Sequence, residues 1–108
     1  MAWIFLLTAA VFEIGWPLGF KLSHFSDNRF AWIAFAVLSM ALSGVFLYLA
    51  QKQITISVAY AVWTGIGAMG TFLIGVIFFG DASTLSSWLG IILIVSGVIL
   101  LKISQYGA

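Results

Sequence analysis

The chain has 108 residues, of which 64% are hydrophobic and 6% are charged, and its formal net charge is +1. Soluble domains carry about 25% charged residues, so this composition cannot cover the surface of a water-soluble protein. The lack of cysteine and the single histidine exclude a disulfide framework and a Cys- or His-rich metal site, and the small net charge excludes a basic nucleic-acid-binding face. We therefore expect an all-α integral membrane protein with no metal and no cofactor.

Four apolar runs follow one another along the chain, and each is long enough to cross a bilayer as a helix. They predict four transmembrane helices at about residues 2–22, 30–50, 56–79 and 85–104. The joints are short and polar, which suits antiparallel neighbours that pack as a bundle of two helical hairpins. No linker divides the chain, so residues 1–108 are predicted to form a single four-helix transmembrane domain.

The first predicted helix contains Glu13 about midway along its length, whereas the other charged residues lie in loops or near helix ends. A carboxylate at the bilayer centre costs at least ~2.5 kcal/mol on insertion scales, so such groups usually face a bundle interior or a cavity and serve function. A proton or an organic cation can neutralise this carboxylate, which makes Glu13 the candidate binding residue for both. The alternative is a permanently protonated Glu13 that is hydrogen-bonded inside the bundle.

Trp16 and Pro17 follow Glu13 by one turn and share its helix face. Trp16 lies deep in the predicted span, where its indole N–H needs a partner. Proline at 17 removes the backbone donor that would bond the carbonyl of residue 13, so we expect a kink or local widening centred on Glu13. Gly15 and Gly19 lie on another side of the helix and favour close contact with a neighbouring helix.

Ser43 in the second helix and Trp63 in the third lie at matched depths, each seven residues from the joint that carries Lys52. Glu13 lies about one turn deeper from the same membrane side. We therefore predict that Ser43, Tyr60 and Trp63 line one pocket with Glu13, open toward that joint. The alternative for Ser43 is a contact between helices, since buried serines in membrane spans often serve this purpose.

The third helix also contains three glycines in the spacing G-x-G-x-x-G, from Gly65 to Gly70. In dinucleotide-binding folds this spacing follows a strand and opens a helix in an aqueous βαβ unit, so we reject nucleotide binding for a run inside a membrane span. Closely spaced glycines weaken a helix and let a neighbour approach. Gly65 and Gly67 therefore predict a hinge or a packing notch.

The positive residues are divided equally between the two membrane sides that four spans define. Lys52 and Lys102 lie on the side of the N-terminus, and Lys21 and Arg29 lie on the other. Short loops richer in Lys and Arg usually stay on the cytoplasmic side, so a chain without bias is expected to insert in both orientations. The alternative is a tie by chance in a small sample.

Three features together resemble the small multidrug resistance family. They are Glu13 followed by Lys21 eight residues later, the segment AYAVWTGIGA at 59–68, and the pair Gly90 and Gly97 in the fourth helix. The resemblance extends nearly from end to end of the chain. It implies a proton-coupled, multi-pass exporter of the bacterial plasma (inner) membrane that works as an antiparallel, dual-topology dimer.

The resemblance also implies roles for individual residues. Glu13 would bind proton and substrate, with Tyr60 and Trp63 as the walls of a pocket shared by two chains. Gly90 and Gly97 would form the dimer seam in the fourth helix.

Several residues resemble the guanidinium-exporter subtype of this family, namely Trp16 after Glu13, Thr64 after Trp63, and Lys102 near the chain end. In that subtype Trp16 and Ser43 would orient the glutamate. The chain departs from the subtype's usual residues at three positions, Ala10, Pro17 and Phe20.

Two hypotheses of function remain open at this point. The first is a proton-coupled antiporter of guanidinium or small substituted guanidinium cations, with multidrug export of quaternary ammonium and hydrophobic cations as its alternative. The second is a non-transporting membrane subunit that needs a paralogous partner. We expect no enzymatic activity, because the chain offers no nucleophile with a base, no acid–base pair and no metal cluster. The expected partners are a small organic cation, protons, the lipid bilayer, and a second copy of the chain or a paralogous subunit.

Overall fold

The structure is a computed structural model that describes residues 1–107, with the side chains of residues 1–104. Ala108, the last residue of the predicted single domain, lies outside the described residues. The described chain consists of helices α1 (Ala2–Ser23), α2 (Arg29–Ala50), α3 (Ile56–Phe78) and α4 (Leu85–Gly107). Each helix is long and apolar enough to cross a membrane, which confirms the predicted all-α class with four spans. The observed helix ends differ from the predicted ones by one residue at most, except that α4 continues to residue 107.

The helices form the two predicted hairpins, α1 with α2 and α3 with α4, which lie side by side in an open layer. Helix α1 packs along both α2 and α3, and the backbone of α4 approaches that of α3 alone within the described chain. The Cα positions extend over 50 × 35 × 16 Å, so the layer is thin in one direction. The hairpins meet through α1 and α3, and α1 lies between α2 and α3, which consequently have little direct contact with each other.

Small residues explain how α2 comes so close to α1. A Cβ atom built at Gly15 would lie 3.0 Å from the hydroxyl oxygen of Ser39, and one at Gly19 would lie 3.1 Å from the carbonyl oxygen of Trp32. Larger side chains at these positions would push the two backbones apart. The predicted contact of this glycine pair with a neighbouring helix is therefore confirmed, and the neighbour is α2 of the same chain.

The buried apolar core lies at one end of the layer, where the start of α1 meets the end of α2 and the start of α3. Its members are Ala2, Leu6, Ala50, Ile54, Val58, Ala59 and Val62. This is the membrane side of Lys52, toward which the sequence predicts an open pocket. Packed side chains fill the space between the three helices at this end, and the pocket expected to open toward it stays a prediction.

Helix α4 lies at the margin of the layer, and none of its residues from 85 to 104 is buried. Large apolar side chains such as Leu93 and Leu100 are 72% and 66% exposed. One chain by itself therefore leaves a long apolar surface on α4 for lipid or protein to cover.

Candidate functional site

The Glu13 carboxylate has a hydrogen-bond partner on its own helix. The indole Nε1 of Trp16 donates to Glu13 Oε1 over 2.6 Å, and the two residues are separated by one turn of α1. Both side chains are half-buried. A hydrogen bond to an ionised group is about twice as strong as a neutral one, so this contact holds the carboxylate in one orientation. It also supplies the partner that a deep indole N–H requires.

Gly67 of α3 lies directly against Glu13. A Cβ atom built at Gly67 would lie 2.6 Å from Cγ and 3.3 Å from Cβ of Glu13. Gly67 is itself buried, so its missing side chain is the space that the Glu13 side chain occupies. Sequence analysis assigned Gly67 to a hinge or a packing notch, and this contact is a notch that positions Glu13.

Gly65 faces a different helix from Gly67. A Cβ atom built at Gly65 would lie 2.7 Å from a methyl carbon of Val98 in α4. Two glycines separated by one residue thus let α3 approach α1 on one side and α4 on the other. Helix α3 is continuous from Ile56 to Phe78. The use of these glycines as a hinge therefore stays a prediction.

Ser43 of α2 is hydrogen-bonded to both α1 and α3. Trp63 Nε1 of α3 donates to the Ser43 hydroxyl oxygen over 2.8 Å, and that hydroxyl donates to the Ala9 carbonyl of α1 over 2.7 Å. Ser43 is 1% exposed. A hydroxyl can donate one hydrogen bond, and the Ser43 hydroxyl donates it to the Ala9 carbonyl oxygen. The structure therefore does not place Ser43 as a donor to Glu13, which differs from the expected orienting role, and it makes Ser43 the residue that positions Trp63.

Tyr60 lies beside Trp63 on α3, with 5.5 Å between the ring centroids and 54° between the ring planes. Tyr60 is 56% exposed. Residues three or four apart share a helix face, so Tyr60 and Trp63 lie on the face of α3 that includes Gly67. Since Gly67 contacts Glu13, this face of α3 lies against α1 at the level of Gly67.

Pro17 lies inside α1, which is nevertheless continuous from Ala2 to Ser23. A cavity of about 200 Å³ lies next to Pro17, between α1 and α3. The cavity extends from the level of Ile14 toward the membrane side of Lys21. Glu13 does not line this cavity, so the kink or local widening expected at Glu13 stays a prediction.

Gly90 and Gly97 lie on α4, apart from the Glu13 side chain. They are separated by seven residues and so share one helix face. Among the residues that the structure describes, no atom beyond the chain neighbours and the nearby backbone of α4 lies within 4 Å of a Cβ built at either position. The predicted dimer seam is therefore an unfilled strip along the uncovered helix.

Sequence analysis did not identify the Ala9 carbonyl as a contributor to the site, and it did not identify Glu13 as the residue that fills the notch at Gly67. Ala9 precedes Glu13 by four residues, so its small size on the same face was the available signal. A backbone carbonyl, however, is present at every residue. The packing of α2 against α1 determines which carbonyl accepts the hydrogen bond from Ser43.

The arrangement offers one carboxylate, one fixed donor and two aromatic faces in an apolar layer. No group of three or more His, Asp or Glu residues that could hold a metal ion occurs in the part of the chain that the structure describes. The side chains of this site suit a cation, because a carboxylate supplies charge and hydrogen-bond acceptors, and indole and phenol rings attract cations to their faces.

Comparisons with known proteins found a matching family model and relatives that align with nearly the whole chain. A family model described as Small Multidrug Resistance protein matches residues 1–94. A protein of Yersinia pseudotuberculosis named Guanidinium exporter is 39% identical over 105 residues, which cover 97% of this chain and 100% of the relative. Proteins of the same name from Salmonella typhimurium and Proteus vulgaris are 36% and 38% identical, and cover 98% and 97% of this chain and all of each relative.

Proposed function

The chain belongs to the small multidrug resistance family, as a multi-pass protein of a bacterial inner membrane, and we propose that it exports guanidinium or small substituted guanidinium cations in exchange for protons. Relatives that carry the name Guanidinium exporter align with almost the whole chain, which supports this substrate. A name of this kind also points to a transporter and away from an enzyme.

The hydrogen bond from Trp16 to Glu13 is the observation that carries the proposal. Guanidinium is planar and presents N–H donors in a fork that matches a carboxylate. A carboxylate that is already held in place by one donor loses less conformational entropy when it binds such a fork. Tetraalkylammonium ions have no N–H donors, so they gain nothing from this orientation.

Glu13 also supports coupling to protons. A single carboxylate holds either a proton or a cation, so the two exclude each other at one site. Export of one cation then requires that protons return to the same oxygen atoms. The position of Glu13 near the centre of α1 suits this exchange, since the group can be presented to either membrane side.

Trp63 and Tyr60 are proposed to wall the cation site. Ser43 fixes the indole of Trp63 by accepting a hydrogen bond from its Nε1. A cation over an aromatic face gains about 0.5 to 2 kcal/mol, depending on how far it is desolvated. Guanidinium, being flat, can stack on such a face while it bonds to the carboxylate.

We also propose that two copies pair in opposite orientations and so bring two Glu13 carboxylates together. The uncovered α4 supports pairing, because Gly90 and Gly97 leave a strip into which a second α4 can pack. The equal division of positive residues between the two membrane sides supports opposite orientations. A paralogous subunit is the alternative partner, and coexpression distinguishes the two.

Exchange currents from purified protein in liposomes test the proposed function. Guanidinium, methylguanidinium and tetrapropylammonium are applied in turn to one preparation under an imposed pH gradient. We expect currents with the first two and little with the third. A clear preference for tetrapropylammonium would favour multidrug export instead, and the absence of all three currents would favour a subunit that needs a partner chain.

A further inference from the structure

The cavity between α1 and α3 contains two opposite charges that the proposed exchange does not use. Lys21 of α1 and Asp81, which follows α3, both line this cavity of about 200 Å³. Pro17, Thr71 and Phe79 contribute to its apolar and weakly polar walls. We call it the Lys21–Asp81 cavity. Helices α1 and α3 both end close to it, so it lies at a membrane–water boundary.

Aromatic rings hold the ammonium group of Lys21. Its Nζ lies 5.5 Å from the ring centroid of Phe25 and 5.8 Å from that of Phe79. The two rings stack on each other, with centroids 6.1 Å apart and an angle of 16° between their planes. The positive charge is therefore kept at a defined place at the cavity mouth, where an anion can approach it from water or from the headgroup layer.

The chain turns back after α3 to bring Asp81 to the same cavity. Gly80 adopts a positive φ of 67°, and the Asp81 backbone N–H donates to the Gly75 carbonyl over 3.0 Å. A Cβ atom built at Gly75 would lie 2.5 Å from Asp81 Oδ2, so the carboxylate occupies the space beside this glycine. A negative charge near a helix C-terminus is unfavourable, which indicates that Asp81 does not serve the stability of α3.

An apolar groove continues from the Lys21–Asp81 cavity. A second cavity of about 340 Å³ has walls of Leu18, Leu22, Ile74, Phe78 and Phe79. Three of these residues, Leu18, Ile74 and Phe79, also line the first cavity. Phe78 is 77% exposed, so the groove opens sideways. A charged mouth is thus joined to an apolar groove of the kind that an acyl chain fills.

We propose that this continuous site binds a zwitterionic phospholipid whose headgroup carries a primary amine. The phosphate lies at Lys21, the headgroup ammonium donates to the Asp81 carboxylate, and an acyl chain lies in the groove. Both charges of the headgroup then meet opposite charges, and its N–H donors meet an acceptor. An anionic lipid without an amine satisfies Lys21 but leaves its negative charge next to Asp81.

A guanidinium-class cation fits this site less well than the lipid does. Lys21 repels a small cation at the cavity mouth, whereas a zwitterion presents its phosphate to that lysine. A small planar cation would also leave the long apolar groove unfilled. The lipid proposal does not depend on the transport proposal, because it rests on Lys21, Asp81 and the groove and not on Glu13 or Trp16.

Lipid titrations of the purified full-length protein, read by native mass spectrometry, test the proposal. The probes are phosphatidylethanolamine, phosphatidylcholine with the same acyl chains, and phosphatidylglycerol. Phosphatidylcholine keeps the phosphate but has a trimethylated amine without donors. We expect phosphatidylethanolamine to bind about tenfold more tightly than phosphatidylcholine, the ratio that one charge-assisted hydrogen bond gives.

Three variants assign the effect to the cavity. Asp81→Asn is expected to remove the tenfold preference, and Gly75→Ala to reduce it by displacing the carboxylate. Lys21→Gln is expected to weaken binding of both zwitterionic lipids, since both carry the phosphate. Asp27→Asn is the matched control, because Asp27 is an exposed carboxylate on the same membrane side that lines neither cavity.

Several results would overturn the proposal. One is equal binding of phosphatidylethanolamine and phosphatidylcholine by the unchanged protein. Another is tighter binding of phosphatidylglycerol than of either zwitterionic lipid. Loss of guanidinium exchange in Asp81→Asn with unchanged lipid preference would instead assign the cavity to the path of the transported cation.

Discussion

Gly67 of α3 lies so close to Glu13 of α1 that a methyl group at position 67 would come within 2.6 Å of the glutamate Cγ. The absence of one side chain therefore determines where the proposed binding carboxylate lies. The same contact joins the two helices whose faces present Glu13, Tyr60 and Trp63 to the site.

Gly67→Ala is expected to displace the Glu13 side chain while the helices remain formed. Overpacking of this kind costs about 1 to 3 kcal/mol, which the flexible glutamate relieves by leaving its position. Guanidinium exchange in liposomes should fall by about tenfold or more. Gly44→Ala is the control, since no described atom beyond the chain neighbours and the nearby backbone of α2 lies within 4 Å of a Cβ at that position. Equal activity of the two variants would show that the notch does not position Glu13.

Glu13→Gln is expected to insert and fold but to carry out no exchange. The glutamine amide is nearly the size of the glutamate carboxylate. It does not bind a proton near neutral pH, and it has no charge that attracts a cation. The measurement is proton release on addition of guanidinium to detergent-solubilised protein. Asp27→Asn, which removes a loop carboxylate, should release protons as the unchanged protein does. Release that persists in Glu13→Gln would refute exchange at this residue.

The four helices could be predicted from the sequence because each depends only on a local run of apolar residues. The pairing of Glu13 with Trp16 was likewise visible, since a spacing of three residues places both on one helix face. The arrangement of helices was less accessible. Whether α1 lies between α2 and α3 depends on which small residues meet across helices, and glycines occur in every span.

Ser43 illustrates the same limit at the level of the site. Its depth in α2 correctly placed it near Trp63, but its hydrogen-bond partners depend on the rotation of three helices about their axes. The sequence indicated a serine near a glutamate. In the packed helices the Ser43 hydroxyl instead donates its hydrogen bond to the Ala9 carbonyl. Long-range contacts of this kind leave no periodic signal in a single sequence.

Trp16→Phe is expected to reduce guanidinium exchange selectively. The substitution keeps an aromatic ring but removes the donor that fixes Glu13. Loss of a hydrogen bond to a charged group typically costs about 1.5 to 3 kcal/mol, or roughly tenfold to a hundredfold in affinity. Currents with guanidinium and with a hydrophobic cation should be compared on one preparation. The control is Trp88→Phe, which removes an exposed indole bonded to Ser83. An equal reduction for both cations would argue against a role in orientation.

Ser43→Ala is expected to lower stability as well as exchange. It leaves the half-buried Trp63 indole N–H without its acceptor and removes one of the hydrogen bonds that the Ala9 carbonyl accepts, at a cost of about 1 to 2 kcal/mol. Unfolding of the detergent-solubilised protein measures this cost, and a double-mutant cycle with Trp63→Phe isolates the shared hydrogen bond. Ser39→Ala, also buried in α2, is the comparison and should cost less because its hydroxyl packs against Gly15. Additive effects of Ser43→Ala and Trp63→Phe would contradict the coupling.

The orientation of insertion should respond to a few added charges. Lys21 and Arg29 balance Lys52 and Lys102, so two or three further lysines after the last residue make one side more positive. Positive segments tend to stay on the cytoplasmic side, and the modified chain should therefore insert in one orientation. Reporters fused to the C-terminus should change from two populations to one. The same number of added glutamines is the control and should leave both populations.

Activity should follow orientation if two oppositely inserted copies form the transporter. The lysine-extended chain expressed alone should then lose most of its guanidinium exchange, because it has no partner of the opposite orientation. Coexpression with a copy biased the other way should restore exchange, since each chain supplies one Glu13 and one uncovered α4. Full activity of the extended chain alone, in a single orientation, would rule out the antiparallel pair.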